Sequence, residues 1–487
     1  MPTEKELIDE RIRKLGEFKK LGINPYPYKF LPTHNARQIL EKYGALKVEE
    51  DSGEKVVVAG RIIALRRMGK ATFMHIRDAT DKLQLYFKED ELGGDIGSQY
   101  SLLKLYDIGD WIGAEGVIFK TKTGEVTVRV QKFEMLCKSI RPFPEKWHGL
   151  KDVEIRYRKR YLDLAMNPEV REVFRKRTKI ISTIRELLNS RGFMEVETPI
   201  LQPIYGGAAA KPFKTHLNAL DKDVFMRIAP ELYLKKLIVG GMDRVYEIGK
   251  NFRNEDIDRF HNPEFTLMEL YQAYADFNDM MELCEDIYVS AAKAIHGTTK
   301  FEYQGHQIDV KKPWKVMTMI QAISELGNVD VEVLDDKSLL AKVPRKELLP
   351  PKPSRGMIIQ ALFEQLCEEK LIQPTFITHH PIETTPLCKP CKNHVSLVER
   401  FEPFIAGMEV ANAYSELNDP ILQRKLLEEQ AKSGPEWGNE VDEDFIQAIE
   451  YGMPPTGGMG IGIDRMVLLI TNSPSIRDVI FFPFMKV

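Results

Sequence analysis

Long apolar runs are missing from this chain of 487 residues. No stretch is long enough to span a bilayer as a helix, which excludes an integral helical membrane protein. The first residues, MPTEKELIDERIRK, are charged from Glu4 onward and lack the apolar core of a secretory leader. Cysteine is scarce as well. Five cysteines, an odd number in so long a chain, do not suggest a disulfide framework, and the expectation is a cytoplasmic protein with reduced thiols. An excess of positive charge is also lacking. Lys and Arg number 69 against 72 Asp and Glu, for a net charge of −3. Any nucleic acid must then be met by a local patch and not by bulk charge. What is present is ordinary globular material, 43% hydrophobic and 29% charged, long enough for two or three domains with packed cores.

The most informative stretch is 245–271, VYEIGKNFRNEDIDRFHNPEFTLMELY. Two apolar-alternating runs flank a polar loop holding Arg253, Glu255, Arg259 and His261. Alternation predicts strands, with every second side chain on one face. Phe265, Leu267, Glu269 and Tyr271 share one parity; Glu247, Gly249, Asn251 and Arg253 share another. The pattern predicts an antiparallel hairpin with an arginine at the mouth of its loop. By itself it fits either a surface hairpin with a solvated loop or a binding site.

Upstream, residues 3–21 read as an exposed helix, with Thr3 and Glu6 at capping-box spacing and Gly22 as its stop. Its charges suit a solvated face or an RNA backbone. Residues 55–138 give three β-rich runs, a short helical segment near 96–106 and two further runs, the order of an OB-fold barrel. Arg61, Arg66, Arg67, Lys70, Phe73, His75, Gln84 and Phe87 fall in its early strands. Aromatic rings among basic residues suit single-stranded RNA, whose bases lie on a ring while an amide reads an edge. Phe87 is assigned to the barrel core and Phe73 to binding.

The Pro-containing joint IRPFPEKWHG divides a first domain, 1–145, from a second, 146–487. The Arg156–Tyr161 cluster beyond it suits nucleic acid or a set of carboxylates. The second domain reads as α+β. Asn167 and Pro168 make an N-cap and N1 pair for a helix reaching Gly192. FMEVETPIL follows as a strand that Pro199 keeps out of the centre of a sheet. YGGAAAKPFKT offers close backbone approach at Gly206 and Gly207. Glu231 follows Pro230 in the first turn of a helix, where a carboxylate is favoured by the helix dipole in any protein. Residues 310–370 read as a mixed helical and Pro-rich surface insertion. Cys388 and Cys391 form a C-x-x-C near His379, His380 and His394, a partial match to zinc spacings that lacks a second pair.

Two late stretches carry chemistry. RFEPFIAGMEVANAYSELND contains Glu402, Glu409, Asn412, Tyr414 and Glu416. Carboxylates in apolar company need a cation or a proton, and Mg²⁺ held partly by phosphate oxygens is one solution. Strand parity groups Asn412, Tyr414 and Glu416 without Glu409, so bringing Glu402 and Glu409 to one ion requires a bulge or bend near Gly407. GMPPTGGMGIGIDRMVLLIT has a G-x-G-x-G, but too little chain follows it for a dinucleotide-binding βαβ unit. A glycine-flattened strand entering a helix at Asp464–Arg465 fits better, with Arg465 as a fixed fork for phosphate or a purine face.

Together these segments resemble the class II aminoacyl-tRNA synthetases, and among them the lysyl-tRNA synthetase family. FMEVETPIL is similar to motif 1, FRNEDIDRFHNPEFTLMELY to motif 2 and GGMGIGIDR to motif 3. YGGAAAKPF, APELYLK and NAYSELND resemble the lysine-type members rather than the aspartate or asparagine types. The resemblance covers nearly the whole chain. It implies an α+β fold, with an N-terminal OB barrel and a catalytic domain built on a six-stranded antiparallel sheet flanked by helices. It also implies an obligate homodimer resting partly on motif 1. The implied activity joins L-lysine to ATP as lysyl-adenylate and passes the lysyl group to the 3′ end of tRNA(Lys).

Position by position, the resemblance makes Arg253 the α-phosphate arginine, and Glu255 and His261 nucleotide contacts. Phe265 becomes the adenine-stacking ring, and Arg465 the arginine on the other side of the purine and on the γ-phosphate. It makes Glu402 and Glu409 Mg²⁺ ligands. Gly207, Glu231, Glu269, Tyr271, Asn412, Tyr414 and Glu416 fall in the lysine pocket. Phe73 and Gln84 are the residues that stack on and read the central anticodon uridine. Carboxylates in that pocket disfavour an aspartate- or asparagine-type enzyme. The OB domain disfavours a paralogue that modifies a translation factor, and the retained arginines and glutamates disfavour an inactive binding module. The cysteines of TPLCKPCKNHVSLVERFE depart from the family pattern, SPLAK in many bacterial members.

Overall fold

A computed structural model describes residues 2–93, 99–144, 150–208, 210–433 and 441–486. The chain divides into two compact units, Met1–His148 and Gly149–Val487. The expected joint at 145/146 lies outside the described residues.

The first unit opens with helix α1 (Glu4–Lys20). Thr3 Oγ1 accepts the Glu6 N–H at 3.3 Å, and the Glu6 carboxylate accepts the Thr3 N–H at 2.7 Å, the reciprocal cap read from the sequence. Five strands then close a barrel: β1 (Asp51–Met68), β2 (Ala71–Arg77), β3 (Lys82–Lys88), β4 (Trp111–Lys120) and β5 (Val126–Cys137), in the order β1-β2-β3-β5-β4. Inward positions such as Val56, Val58, Ile62, Met74 and Ile76 fill it, and Phe87 is fully buried among them. Closure pairs every strand edge, which an open sheet of this size would leave exposed.

The second unit is built on one large sheet. Helix α2 (Pro168–Ser190) leads to the short strand β6 (Met194–Glu195). Asn167 holds the N-cap position, but its side chain does not cap. Its amide donates instead to Leu150 O and Asp163 Oδ1, at 3.0 and 2.7 Å. Helix α3 (Glu231–Val239) precedes the hairpin β7 (Arg244–Phe252) and β8 (Glu264–Ala273). Helix α4 (Phe277–His296) follows, then β9 (Lys315–Thr318), β10 (Thr375–Pro381), β11 (His394–Ile405), β12 (Met408–Glu409), β13 (Ala411–Ser415), β14 (Thr456–Gly462) and helix α5 (Ile463–Ile470).

The sheet order is β9-β10-β11-β13-β14-β8-β7-β6. The six strands from β10 to β7 are antiparallel throughout, and the parallel partners β9 and β6 extend the sheet at its two margins. The implied six-stranded sheet is thus the centre of a wider one. One face is packed by Met268, Leu270, Met459 and Ile461 against α4 and α5. The other face is left for the site.

Residues 310–370 form more than a connection. They supply β9 and the helices Met319–Gly327 and Arg355–Leu366, which enclose their own core around Ile323, Leu362 and Phe363. The Arg156–Tyr161 cluster is engaged with carboxylates of its own unit. Arg156 and the fully buried Arg160 both pair with Asp163, at 2.9 and 2.6 Å.

Candidate active site

The hairpin register decides what the open face presents. Glu247 opposes Glu269, Gly249 opposes Leu267, and Asn251 opposes Phe265, so the two predicted parity sets share a face. Beside them β14 places Gly462, Gly460 and Gly458 opposite Leu267, Glu269 and Tyr271. On its other edge Gly460 meets Asn412 and Gly458 meets Tyr414. The middle strand of this face therefore carries no side chains. Glycine gives a flat floor, and the side chains of β8 and β13 rise on either side of it.

The stretch 402–416 follows a path that simple alternation misses. Ala406 and Gly407 both have positive φ, 53° and 72°, and form the tight turn between β11 and β12. Phe404 opposes Glu409, whereas Phe401 opposes Ala413. Three steps along one strand thus match four along the other, which is a one-residue bulge at Val410. The turn puts Glu402 and Glu409 on one face. The bulge then brings that face into line with Asn412, Tyr414 and Glu416. The parity mismatch of Glu409 is resolved by this irregularity, three residues beyond Gly407.

These walls enclose a cavity of about 490 Å³. Gly207, Glu231, Arg253, Glu255, His261, Phe265, Glu269, Tyr271, Glu409, Asn412, Tyr414 and Arg465 all line it, although their segments lie far apart in sequence. Glu402 and Glu416 are buried and do not line it. At one end Arg253 lies 5.2 Å over the Phe265 ring, and its Nε has no hydrogen-bond partner among the described residues. Burial draws the Arg253 pKa below the usual range, with Glu255, Glu409 and Glu269 opposing the shift. Arg465 donates to Glu409 O at 2.6 Å and lies 3.1 Å from His261 Nε2. The Asp258 carboxylate holds the other ring nitrogen of His261 at 2.8 Å. Glu255 Oε1 accepts the Lys211 N–H at 3.3 Å.

At the other end the carboxylates gather. Tyr414 donates to Glu231 Oε1 at 2.7 Å, and Tyr271 donates to Glu269 Oε2 at 3.1 Å. Burial pushes the Glu269 pKa up to about 8, and Glu231 adds to the shift. Burial likewise pushes Glu416 well above the carboxylate range, against the pull of Lys235. Gly207 has φ 85°, and a Cβ there would lie 2.9 Å from Glu231 Cβ, so glycine is required on both counts.

Two basic residues of this region were not singled out from sequence. Arg400 donates to Asn412 Oδ1 at 3.0 Å and ion-pairs with Glu402. Lys235 is fully buried between Glu231 and Glu416. A lysine one helical turn after Glu231, on an otherwise apolar helix face, was the available signal.

Among the described residues no group of three or more His, Cys, Asp or Glu side chains is arranged to hold a metal ion. Cys388 and Cys391 are not part of such a group with His379, His380 or His394. Both thiols are buried, and burial raises both pKa values. Cys388 lines the cavity instead, bridging through its backbone to Glu416. Glu402 and Glu409 remain a pair of carboxylates. Burial and the neighbouring Glu402 raise the Glu409 pKa against the pull of Arg465, Arg400 and Arg253, and Arg465 lies 3.3 Å from Glu409 Oε2. Two such donors fit a hard divalent ion whose other oxygens come from phosphate and water.

On the outer face of the barrel, Phe73 opposes Tyr86 and His75 opposes Gln84. The Phe73 and Tyr86 rings lie 4.9 Å apart. Gln84 is buried and donates its amide to Thr127 Oγ1 at 2.8 Å.

Residues 152–486 match the family model described as tRNA synthetases class II (D, K and N), and residues 56–136 match the one described as OB-fold nucleic acid binding domain. The chain is 52% identical to the lysine–tRNA ligase of Carboxydothermus hydrogenoformans, covering 99% of this chain and 98% of that protein. It is 51% identical to the lysine–tRNA ligase of Pelotomaculum thermopropionicum, covering 99% and 95%. It is 49% identical to that of Clostridium botulinum, covering 99% and 96%.

Proposed function

The chain belongs to the lysine–tRNA ligases of the class II tRNA synthetases, and from that membership we propose how its cavity activates L-lysine with ATP. ATP lies over the glycine floor with adenine on Phe265. Arg253 holds the α-phosphate, and Arg465 closes from the other side near the γ-phosphate. Glu255 and His261 complete the nucleotide contacts. The lysine substrate occupies the carboxylate end, between Glu231, Glu269, Tyr271, Asn412 and Tyr414, with Glu416 buried behind them. The observation that carries this assignment is the division of one cavity into an arginine end and a carboxylate end.

A lysine carboxylate oxygen attacks the α-phosphorus, and the bond to the β-phosphate oxygen breaks to release pyrophosphate. No protein nucleophile is needed. The residues supply position and charge, with Arg253 facing the negative charge that grows on the α-phosphoryl oxygens. Glu402 and Glu409 would hold Mg²⁺, which shields phosphate charge when bound. A ribose hydroxyl at the tRNA 3′ end then attacks the lysyl carbonyl, and AMP leaves. The pocket carboxylates select for a cationic side chain, because an uncharged amino acid would leave them buried and unpaired. Burial favours the protonated form of Glu269 in the empty site, and an incoming ammonium favours its charged form.

The partners under this reading are tRNA(Lys), ATP, L-lysine and a second copy of the chain, in the cytoplasm. Among the described residues no helix is long and apolar enough to cross a membrane. ATP–pyrophosphate exchange measured against a panel of amino acids tests the assignment. Exchange with lysine is expected; exchange with aspartate and none with lysine would overturn it. For the barrel, Phe73→Ala should lower tRNA charging about tenfold or more through lost base stacking, while exchange stays unchanged. Exchange that falls as far as charging would remove Phe73 from anticodon binding.

A further inference from the structure

Behind the carboxylate end lies a cation that the proposed reaction does not use. Glu231 and Lys235 stand one turn apart on α3, and the Lys235 side chain has no exposed surface. Its Nζ is 2.6 Å from Glu231 Oε1 and ion-pairs with Glu416 Oε2. The rings of Tyr414, Phe445 and Tyr271 surround it at 5.4, 5.9 and 6.0 Å. Burial works against its charge, but Glu231 and Glu416 outweigh burial and hold the ammonium above its usual range.

Rings and carboxylates around an ammonium are what a lysine substrate would also require. Here the ammonium belongs to the chain, and the packing around its stem holds it in place. The two oxygens of Glu416 are divided between two tasks. Oε2 faces Lys235, whereas Oε1 has no hydrogen-bond partner among the described residues and overlies the floor glycine Gly458.

Charge matching gives the division a meaning. Glu231, Glu269 and Glu416 bring three carboxylates to one buried region. Free lysine brings an α-ammonium and an ε-ammonium. With Lys235 resident, the two remaining negative charges match the two ammonium groups, while the substrate's own carboxylate faces the α-phosphate at the arginine end. Without it, a buried carboxylate would stay uncompensated in the complex, a costly state.

We infer that Lys235 is a resident counter-ion that positions Glu231 and Glu416 and sets the pocket to accept two ammonium groups. It is a positioning residue and determines specificity through the two glutamates. The inference rests on the assignment of this end of the cavity to lysine.

The test uses the full chain with Lys235→Met, which keeps the stem and removes the charge. Exchange kinetics are measured with lysine and ATP varied separately. The lysine KM is expected to rise about 30-fold or more, the scale of breaking a buried charge pair, with the ATP KM unchanged. Lys235→Ala should regain lysine use on addition of methylammonium or ethylammonium, with saturation, and not on addition of urea. A neutral filler cannot replace the charge, so a merely structural role would not give this pattern. Should Lys235→Met fail to fold, the double change Lys235→Met with Glu416→Gln leaves neither charge behind. Because one charge of each sign is removed, it should keep the preference for lysine over norleucine, which carries one ammonium group, better than Glu416→Gln alone does. An unmoved lysine KM in Lys235→Met overturns the inference. So does a folded, lysine-impaired Lys235→Ala that responds to no alkylammonium, or a double variant no more selective for lysine than Glu416→Gln alone. If the unaltered chain shows no lysine-dependent exchange, the proposed function itself has failed. If it does and the lysine KM stays put, only the role of Lys235 has.

Discussion

Arg253→Gln is expected to lower lysine-dependent ATP–pyrophosphate exchange by about 10³-fold, almost wholly in kcat. Three features of the residue lead there. It sits just past β7, where the loop begins, and is fixed by stacking over Phe265. Its Nε has no hydrogen-bond partner among the described residues. Burial opposes its charge, the acidic groups around it offset this only in part, and none of the described carboxylates forms an ion pair with it. A half-buried guanidinium with an open, buried Nε donor is arranged to receive an anion. In-line attack at the α-phosphorus places growing negative charge on the oxygens it would hold, so the interaction is strongest in the transition state. Arg253→Lys keeps the charge and loses the planar fork, and should recover only part of the rate. Single-turnover adenylate formation at saturating ATP and lysine separates this from a loss of binding. Wild-type turnover in Arg253→Gln would take the residue out of the reaction.

Much of this arrangement was legible because strand alternation and glycine have direct geometric meaning. In 245–271 the period of two placed Phe265, Glu269 and Tyr271 on one face, and an uninterrupted ladder keeps them there. The glycines of 457–462 announced a flat strand, and their register against β8 and β13 makes it a floor. The stretch 402–416 was harder, since counting by two assumes a regular ladder. One extra residue at Val410 reverses parity for everything beyond it, and its placement depends on partner strands distant in sequence. Asn167 illustrates another limit. Its position at a helix start was readable, but its side chain found buried partners in Leu150 and Asp163 that the local sequence did not disclose. Lys235 shows a third. Its place on an apolar helix face was readable, but its partner Glu416, just past β13, lies far away in sequence. The family resemblance supplied roles for single residues, and the fold supplies the reason those residues meet.

The glycine floor yields the second large effect. Gly458→Ala should cut kcat/KM for lysine by about 10²-fold, the scale of an ångström-sized misplacement at a reacting site. A methyl at 458 would overlap the Glu416 carboxylate and lie 2.5 Å from the Tyr271 ring. Neither group can yield freely. Glu416 is buried and held by Lys235, and Tyr271 is held by Glu269 on a fully paired strand. The variant should also lose about 1–3 kcal/mol of stability as an overpacked site, visible as a lower Tm. Gly460→Ala provides the contrast two residues along. Its methyl would come no nearer than 3.6 Å to Glu269 Cγ and 3.9 Å to Asn412 O, so the protein itself has room for it. The methyl would stand instead in the row between Glu269 and Asn412, where the substrate is to lie. Gly460→Ala should therefore keep its Tm while its lysine KM rises, whereas Gly458→Ala should lose on both counts. Equal lysine kinetics in Gly460→Ala and wild type would mean that the amino acid does not lie across β14, and the lysine end of the cavity would have to be reassigned.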